Sequence, residues 1–428
     1  MKLLKQSIKY LSYLFVFLLP WQTKLILRPA ETNFNEISLY LSHIVLIFIL
    51  ILFAVYKAKK KEDPEKLPWL WYLLAGLEVF IFVSILVAPD KVLAIYHYIV
   101  LLIALGLFYV LRDETKVENY VEAGFNKLRF IYIFLISIFL QSVLGIYQFL
   151  TQQSFAFKYL GLASHSPEIL GSAVIETATG RWLRAYGGLD HPNIFGGVLA
   201  IALLISVYLL VKKKIINSRR QANESLFLFV FYFIALFALF FTFSRSAWLA
   251  FAVGLLILLF HFIASKDRWI IGRFAALLVF SGILLSTAVI PYMDLIQTRL
   301  TASSRLEQMS INERMGTIEE ANHLFKGNPI LGVGIGNYST ALSIKDDKQS
   351  PAWAYQPVHS SFLLLLVESG AISLLFFLSF LFYLIKKDRR EDFSWAIFIP
   401  LLILMLLDHW LFSLPFGVLF LFLVLGLI

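Results

Sequence analysis

The hydrophobic positions of this chain do not alternate and do not recur at a single helical spacing; they run on. Apolar stretches fall at 7–21, 36–56, 69–88, 92–111, 129–150, 193–212, 225–243, 247–264, 270–290, 359–384, 393–407 and 410–428. About 20 apolar residues are needed to cross a bilayer as a helix. Runs this long and continuous are helices, because lipid leaves no other way to satisfy the backbone except a closed barrel. The pattern therefore predicts an all-α integral membrane protein of about twelve transmembrane helices, with residues 1–428 forming one polytopic domain.

The polar intervals have a rhythm of their own. Every second one is basic: Lys2 to Lys9, Lys57 to Lys66, Arg112 to Arg129, Lys212 to Arg220, Lys266 to Arg273 and Lys386 to Arg390. Together they hold 24 of the 37 Lys and Arg residues. Lys and Arg collect in cytoplasmic loops, so both termini are expected on the cytoplasmic side. The lysine-rich start followed by an apolar run to Pro20 is similar to a secretory signal. No small-x-small cleavage site follows, so it reads as an uncleaved first span. Two outer intervals are long, 151–192 and 291–358, and the second carries a helix-like stretch from Met293 to Phe325. Loops of that length are usually functional or disordered.

Composition agrees and adds little. The 428 residues are 59% hydrophobic and 15% charged, and the mean hydropathy is +0.78. The absence of cysteine excludes disulfides and thiolate metal sites. The net charge of +9 lies mostly in short loops that set topology, so it is no signal for nucleic acid.

What runs against the charge bias is the outer face. Arg28, Arg181, Arg184, Arg245, Arg299, Arg305, Arg314 and His359 all fall there. A cluster of guanidinium groups implies an anionic ligand, with phosphate the natural choice. His359 opens the tenth span, and an imidazole accepts a proton near neutral pH. Glu368 lies nine residues on, about 180° around a straight helix, and so faces away as an internal ion pair or helix cap; Gly370 shares the histidine's face. Arg245 sits in a very short turn with no acid beside it in the chain, whereas Arg314 has Glu313, Glu319 and Glu320 nearby as ion-pair partners. The segment from Asn328 to Tyr338 has three alternating glycines and no βαβ context for a dinucleotide. It suits tight turns and close approach to a neighbour, and more weakly the binding of an anion by backbone amides. Asp190-His191-Pro192-Asn193 reads as a helix start with Asn193 as N-cap, and Arg184 and His191 are placed to share a cavity. Asp408-His409 reads as a polar cap without a role. The histidines are too scattered for a metal-ligand spacing, so no metal and no cofactor are expected.

Read in order, Arg-Ala-Tyr-Gly-Gly-Leu-Asp-His-Pro-Asn, Phe-Ser-Arg-Ser-Ala-Trp, Asn-Pro-Ile-Leu-Gly-Val-Gly-Ile-Gly-Asn-Tyr and His-Ser-Ser with Glu-Ser-Gly resemble the bacterial O-antigen ligase and O-antigen polymerase superfamily over roughly 180–375. The ligase pattern of the last motif is met by His359, Ser360 and Gly370 and departed from at Ser373. The resemblance implies a GT-C-like, inverting, metal-independent glycosyltransferase. Its donor is a glycan on polyprenyl (undecaprenyl) diphosphate, and its acceptor is a hydroxyl on a glycan, lipid or protein. It implies catalytic roles for His359, Arg245 and Arg314 and a binding role for Arg184; from their own placement on the outer face, His191 and Arg305 are expected as further substrate contacts. The alternative is a transporter or flippase that binds the same anionic lipid-linked glycan without chemistry.

Overall fold

The computed structural model describes residues 1–32, 34–60, 68–112, 126–178, 180–212, 218–301, 304–346, 350–387 and 392–428. Parts of four expected basic loops, at 61–67, 113–125, 213–217 and 388–391, lie outside the described residues. The helices are α1 (Lys2–Leu18), α2 (Leu41–Lys60), α3 (Trp69–Ser84), α4 (Lys91–Arg112), α5 (Lys127–Thr151), α6 (Pro192–Lys212), α7 (Arg219–Phe241), α8 (Arg245–Ala264) and α9 (Arg268–Val289). They are followed by α10 (Met293–Thr301), α11 (Arg305–Gly327), α12 (Tyr338–Lys345), α13 (Ser361–Lys387), α14 (Asp392–Leu407), α15 (Trp410–Ser413) and α16 (Pro415–Leu427).

Among the described residues, nine helices are long and apolar enough to cross a membrane: α2 to α9 and α13. This is a multi-pass membrane protein. The other three expected spans also fold as helix but are shorter. The first is α1, with 17 residues. The eleventh, α14, has Pro400 inside it. The twelfth is broken at Leu414, and α16 starts afresh with Pro415 in its first turn, where a missing N–H costs nothing.

The described fold is mostly helical, consistent with the all-α expectation, and short strands accompany the helices. Two antiparallel hairpins are present, β1 (Lys24–Arg28) with β2 (Ile37–Tyr40) and β3 (Val174–Thr177) with β4 (Gly180–Leu183). The second expected span therefore begins at Leu41 and not at 36, because Ile37–Tyr40 pairs with β1 before the helix starts. The helix-like stretch from Met293 is likewise two helices, α10 and α11.

The connections that carry these hairpins and the long loops touch one another, which gathers them on one face. Arg28 pairs with Asp90 between α3 and α4, at 2.6 Å. The Thr23 hydroxyl donates to Tyr159 O after α5, and the Ala185 amide donates to Phe241 O at the end of α7. The Ser361 amide and hydroxyl both donate to Asp408 O, at 3.0 and 2.8 Å. In the middle stands α6, whose apolar window is 89% buried, against 11% for α9 at the rim. Its approach to neighbours depends on small residues: a Cβ at Gly197 would lie 2.8 Å from the Trp410 ring.

One break in a helix organises the site. α13 is interrupted at Gly370, where φ is 81° and ψ 172°. The carbonyls of Val367 and Glu368 thereby lose their helical partners, and the glycine-rich loop replaces them. The Val333 amide donates to Val367 O at 2.9 Å and the Gly334 amide to Glu368 O at 2.8 Å, while the Ala371 amide donates to Pro329 O at 2.9 Å. Irregular backbone at this depth is tolerated where protein satisfies it. A Cβ at residue 370 would sit 1.8 Å from Ile330 O, so the close approach requires glycine. The straight-helix geometry assumed for His359 and Gly370 therefore does not hold. Glu368 is a helix cap: its carboxylate accepts the amides of Gly336 (2.9 Å) and Tyr338 (3.1 Å). The anion that this loop's amides bind is a side chain of the protein itself.

Candidate functional site

Four chain ends meet on the loop-bearing face: the starts of α6 and α13, the α14–α15 junction, and the turn between α7 and α8. At the start of α6 the cap is His191, not Asn193. The His191 Nδ1 accepts the Asn193 amide at 3.1 Å, and Pro192 takes the first helical position. Asn193 is freed to bridge two charges. Its Oδ1 accepts from Arg184 Nη2 at 2.7 Å, and its Nδ2 donates to Asp408 Oδ2 at 3.2 Å.

Asp408 is the hub. Its Oδ1 accepts the His409 amide at 2.8 Å. One ligand-type atom each from His359, Asp408 and His409 lies within 4.8 Å of the others, and the rings of His359 and His409 are 5.3 Å apart. Burial by itself would raise the carboxyl, but the imidazoles of His409, His359 and His191 and the His409 amide hold it below the usual range. Burial lowers His409 to about 4. His359 is also held below 6.5, first by burial; Asp408 pulls it up and Arg314 pushes it down. His191 is lowered to about 3 by burial and by Arg184. At neutral pH these rings are neutral beside an ionised carboxylate.

His359 has no hydrogen-bond partner among the described residues, and its Nδ1 is buried. It borders a cavity of about 470 Å³ together with His191, Asp408, His409, Asp190 and Glu36. Arg184, Arg245, Arg314 and Arg305 do not line it. Arg184 lies buried behind His191, with its Nε donating to Thr242 O at 2.7 Å. Arg314 is close enough to bias the charge of His359, His409, Arg184 and Arg299.

Arg245 occupies the first position of α8, after Phe243, whose φ of 47° is strained for a residue with a side chain. That turn is pinned from outside, because Arg299 Nε donates to Phe243 O at 3.0 Å. Arg299 also pairs with buried Glu307, and Arg245 Nη2 lies 3.5 Å from the other oxygen of that carboxylate. The acid that its sequence neighbourhood lacks comes from α11. Arg314, by contrast, has no ion-pair partner among the described residues, and its Nε is buried and unbonded. The expected pairing with Glu313, Glu319 or Glu320 does not form. Arg305 stands apart, exposed, in a recess with Glu176, Thr177 and Ser304.

Residues 230–378 match a family model described as O-Antigen ligase. Over these residues the chain is similar to the O-antigen ligases. No curated protein matches the chain. The matched stretch is about a third of the chain and contains Arg245, Arg299, Glu307, Arg314, His359 and Gly370. The resemblance read from the motifs is thus upheld, and with it a glycan-transferring enzyme of this general type. Arg184, His191, Asp408 and His409 lie outside the matched stretch and meet His359 from elsewhere in the chain. Asp408-His409 was legible only as a cap. Its signal was present: a carboxylate and an imidazole between two long apolar runs are expensive unless they serve a site.

The triad of His359, Asp408 and His409 also has the donor types of a divalent-metal site. The surrounding bonds favour a protein network instead. Both Asp408 oxygens accept hydrogen bonds, His409 Nδ1 is bonded to Ser413 Oγ at 2.7 Å, and Arg314 adds positive charge close by.

Proposed function

We propose that this protein is a lipid-linked glycan ligase or polymerase. In this reading it moves a glycan from polyprenyl (undecaprenyl) diphosphate to an acceptor hydroxyl at the outer face of the bacterial cytoplasmic membrane. The observation that carries the reading is a neutral, unpartnered His359 at a cavity, with the Asp408 carboxylate and the Arg314 guanidinium both close enough to act on its charge.

The acceptor oxygen attacks the anomeric carbon while the bond from that carbon to the diphosphate oxygen breaks, with inversion. The hydroxyl proton passes to His359. Asp408 stabilises the imidazolium that forms, and so acts through His359 as a positioning residue. The electron pair of the broken bond leaves on the diphosphate, whose growing charge Arg314 and Arg184 offset in a water-poor setting, where preorganised charge is worth most. The starts of α6 and α13 add partial positive charge. Arg245 serves by holding Glu307 and α11, and hence Arg314, in place. His191 orders Asn193, and Arg305 has no part. No metal step is needed, since the guanidinium groups supply the positive charge.

The topology that goes with this reading has twelve crossings, both termini cytoplasmic and the loop-bearing face outside, as the basic loops indicate. With no native cysteine in the chain, single cysteines at Ser166 and Ser265 can be labelled by an impermeant reagent in intact cells. Labelling at 166 and protection at 265 are expected; the reverse overturns the orientation. For the activity, purified protein in vesicles is given polyprenyl-diphosphate glycan and an acceptor. Release of free lipid diphosphate with glycan on the acceptor supports transfer, whereas movement of intact donor between leaflets without release assigns the flippase role.

A further inference from the structure

The cavity has two walls of opposite character. One carries His191, His359, Asp408 and His409, with Arg184 and Arg314 behind it. The other carries Lys24, Glu36, Tyr40, Tyr96 and Asp190. On this second wall Glu36 is engaged: its Oε1 takes the Lys24 ammonium and the Ser38 hydroxyl. Asp190 is not. No described residue hydrogen-bonds its carboxylate, which is exposed where it lines the cavity. Glu36 on the same side raises this carboxyl and the Lys24 ammonium lowers it. The Tyr96 hydroxyl donates to Ser38 O at 2.7 Å, which leaves the ring to serve as apolar surface.

A diphosphate does not suit this wall, because Glu36 and Asp190 repel it. A sugar does. A carboxylate accepts neighbouring hydroxyls in strong charge-assisted bonds, and aromatic rings with a polar tip take the C–H face of a sugar. Inversion also requires the attacking hydroxyl to approach from the side away from the leaving diphosphate, so a group of lining residues that excludes the arginines suits the attacker. We propose that the wall formed by Asp190, Glu36, Tyr40 and Tyr96 is the acceptor-saccharide subsite, and that it selects a sugar free of acidic substituents. Calling that sugar the acceptor rests on the glycosyltransferase reading; its binding does not.

The test is saturation-transfer NMR on the full-length protein in nanodiscs, with methyl β-glucoside, methyl β-glucosaminide and methyl β-glucuronide as probes. The first two are expected to bind and the glucuronide not. Asp190→Asn keeps the side chain's shape and gives up no hydrogen bond within the chain. It is expected to weaken glucoside binding about tenfold, the worth of one charge-assisted bond. In the vesicle assay the same variant raises the acceptor KM by a similar factor, and the loss falls there and not on kcat. Unchanged glucoside binding in Asp190→Asn, or glucuronide bound as well as glucoside by the wild type, overturns the subsite. A wild-type protein that binds glucoside through Asp190 but never releases lipid diphosphate keeps the subsite and removes the glycosyltransferase reading. Transfer with an unaltered acceptor KM in Asp190→Asn does the opposite.

Discussion

Arg245 and Arg314 stand in opposite electrostatic situations within the same face of the molecule. Around Arg245 every charge is matched. The Glu307 carboxylate, 3% exposed, takes Arg299 on one oxygen and faces Arg245 on the other, and the carbonyls of Phe243 and Arg299 accept further guanidinium bonds. Around Arg314 positive charge is in surplus: Arg184, Arg299 and three histidines share its neighbourhood with the carboxylates of Asp408 and Glu307, and Arg314 itself pairs with neither. A saturated cluster holds shape. A cluster with surplus positive charge and an unbonded imidazole holds stored electrostatic potential, and it is released only when an anion enters. On the proposed reading, structural and catalytic charge are separated by about two turns of one helix, because α11 carries both Glu307 and Arg314.

The sharpest break in that comparison is His359→Ala. If the open cluster is the catalytic one, transfer falls by about 10³-fold, the worth of a general base, while the melting temperature in detergent stays at the wild-type value. Transfer within a few-fold of wild type removes His359 from the mechanism. Next comes the pair of arginines themselves. Arg314→Ala lowers kcat by about 10²-fold, as for the loss of one donor to a developing anion, without loss of stability. Arg245→Ala also loses transfer, but it lowers the melting temperature as well, by the equivalent of about 1 kcal/mol for a part-exposed ion pair. Arg299→Ala melts lower still, because it abandons a buried carboxylate, at a cost of about 3–5 kcal/mol. Equal melting curves for the Arg245 and Arg314 variants, read by scanning fluorimetry, erase the distinction.

A smaller effect tests the link between Asp408 and His359. The imidazole must be neutral to act, so activity is lost as pH falls through its pKa, which burial places below 6.5. The acid limb of kcat/KM is expected there and not above. Asp408 pulls that pKa up, so Asp408→Asn moves the acid limb to lower pH and reduces kcat by about tenfold. A limb that stays in place assigns Asp408 a purely structural role.

Much of this was legible in the chain, and the exceptions share a cause. Long apolar runs located every helix that was expected, because length and continuity are local properties. The strand at Ile37–Tyr40 was hidden because its residues are as apolar as the helix that they lead into. Three alternating glycines announced a close approach, and Gly334 and Gly370 make it. What local reading missed is partnership. Asp408 meets a residue 215 positions away, and Arg245 takes its acid from a different helix. Arg314 ignores the three glutamates beside it. Charges on a helix pair with neighbours only when their own turn faces them, and a fold that gathers six connections on one face offers each charge many non-local choices.

The least change is expected from removing metal, and the reason separates two uses of the same atoms. His359, Asp408 and His409 offer three ligand-type atoms within 4.8 Å, enough to begin a divalent site. If a cation were the electrophile, it would have to displace the Asn193 and His409 donors from Asp408 and sit beside Arg314 and Arg184, paying repulsion from both. If the guanidinium groups are the electrophile, those hydrogen bonds stay and the cluster works as built. Incubation with EDTA, followed by assay with and without added Mg²⁺, Mn²⁺ or Zn²⁺, is expected to leave the rate of lipid-diphosphate release unchanged within error. A loss restored by one ion assigns the triad to that ion and takes from His359 its role as base.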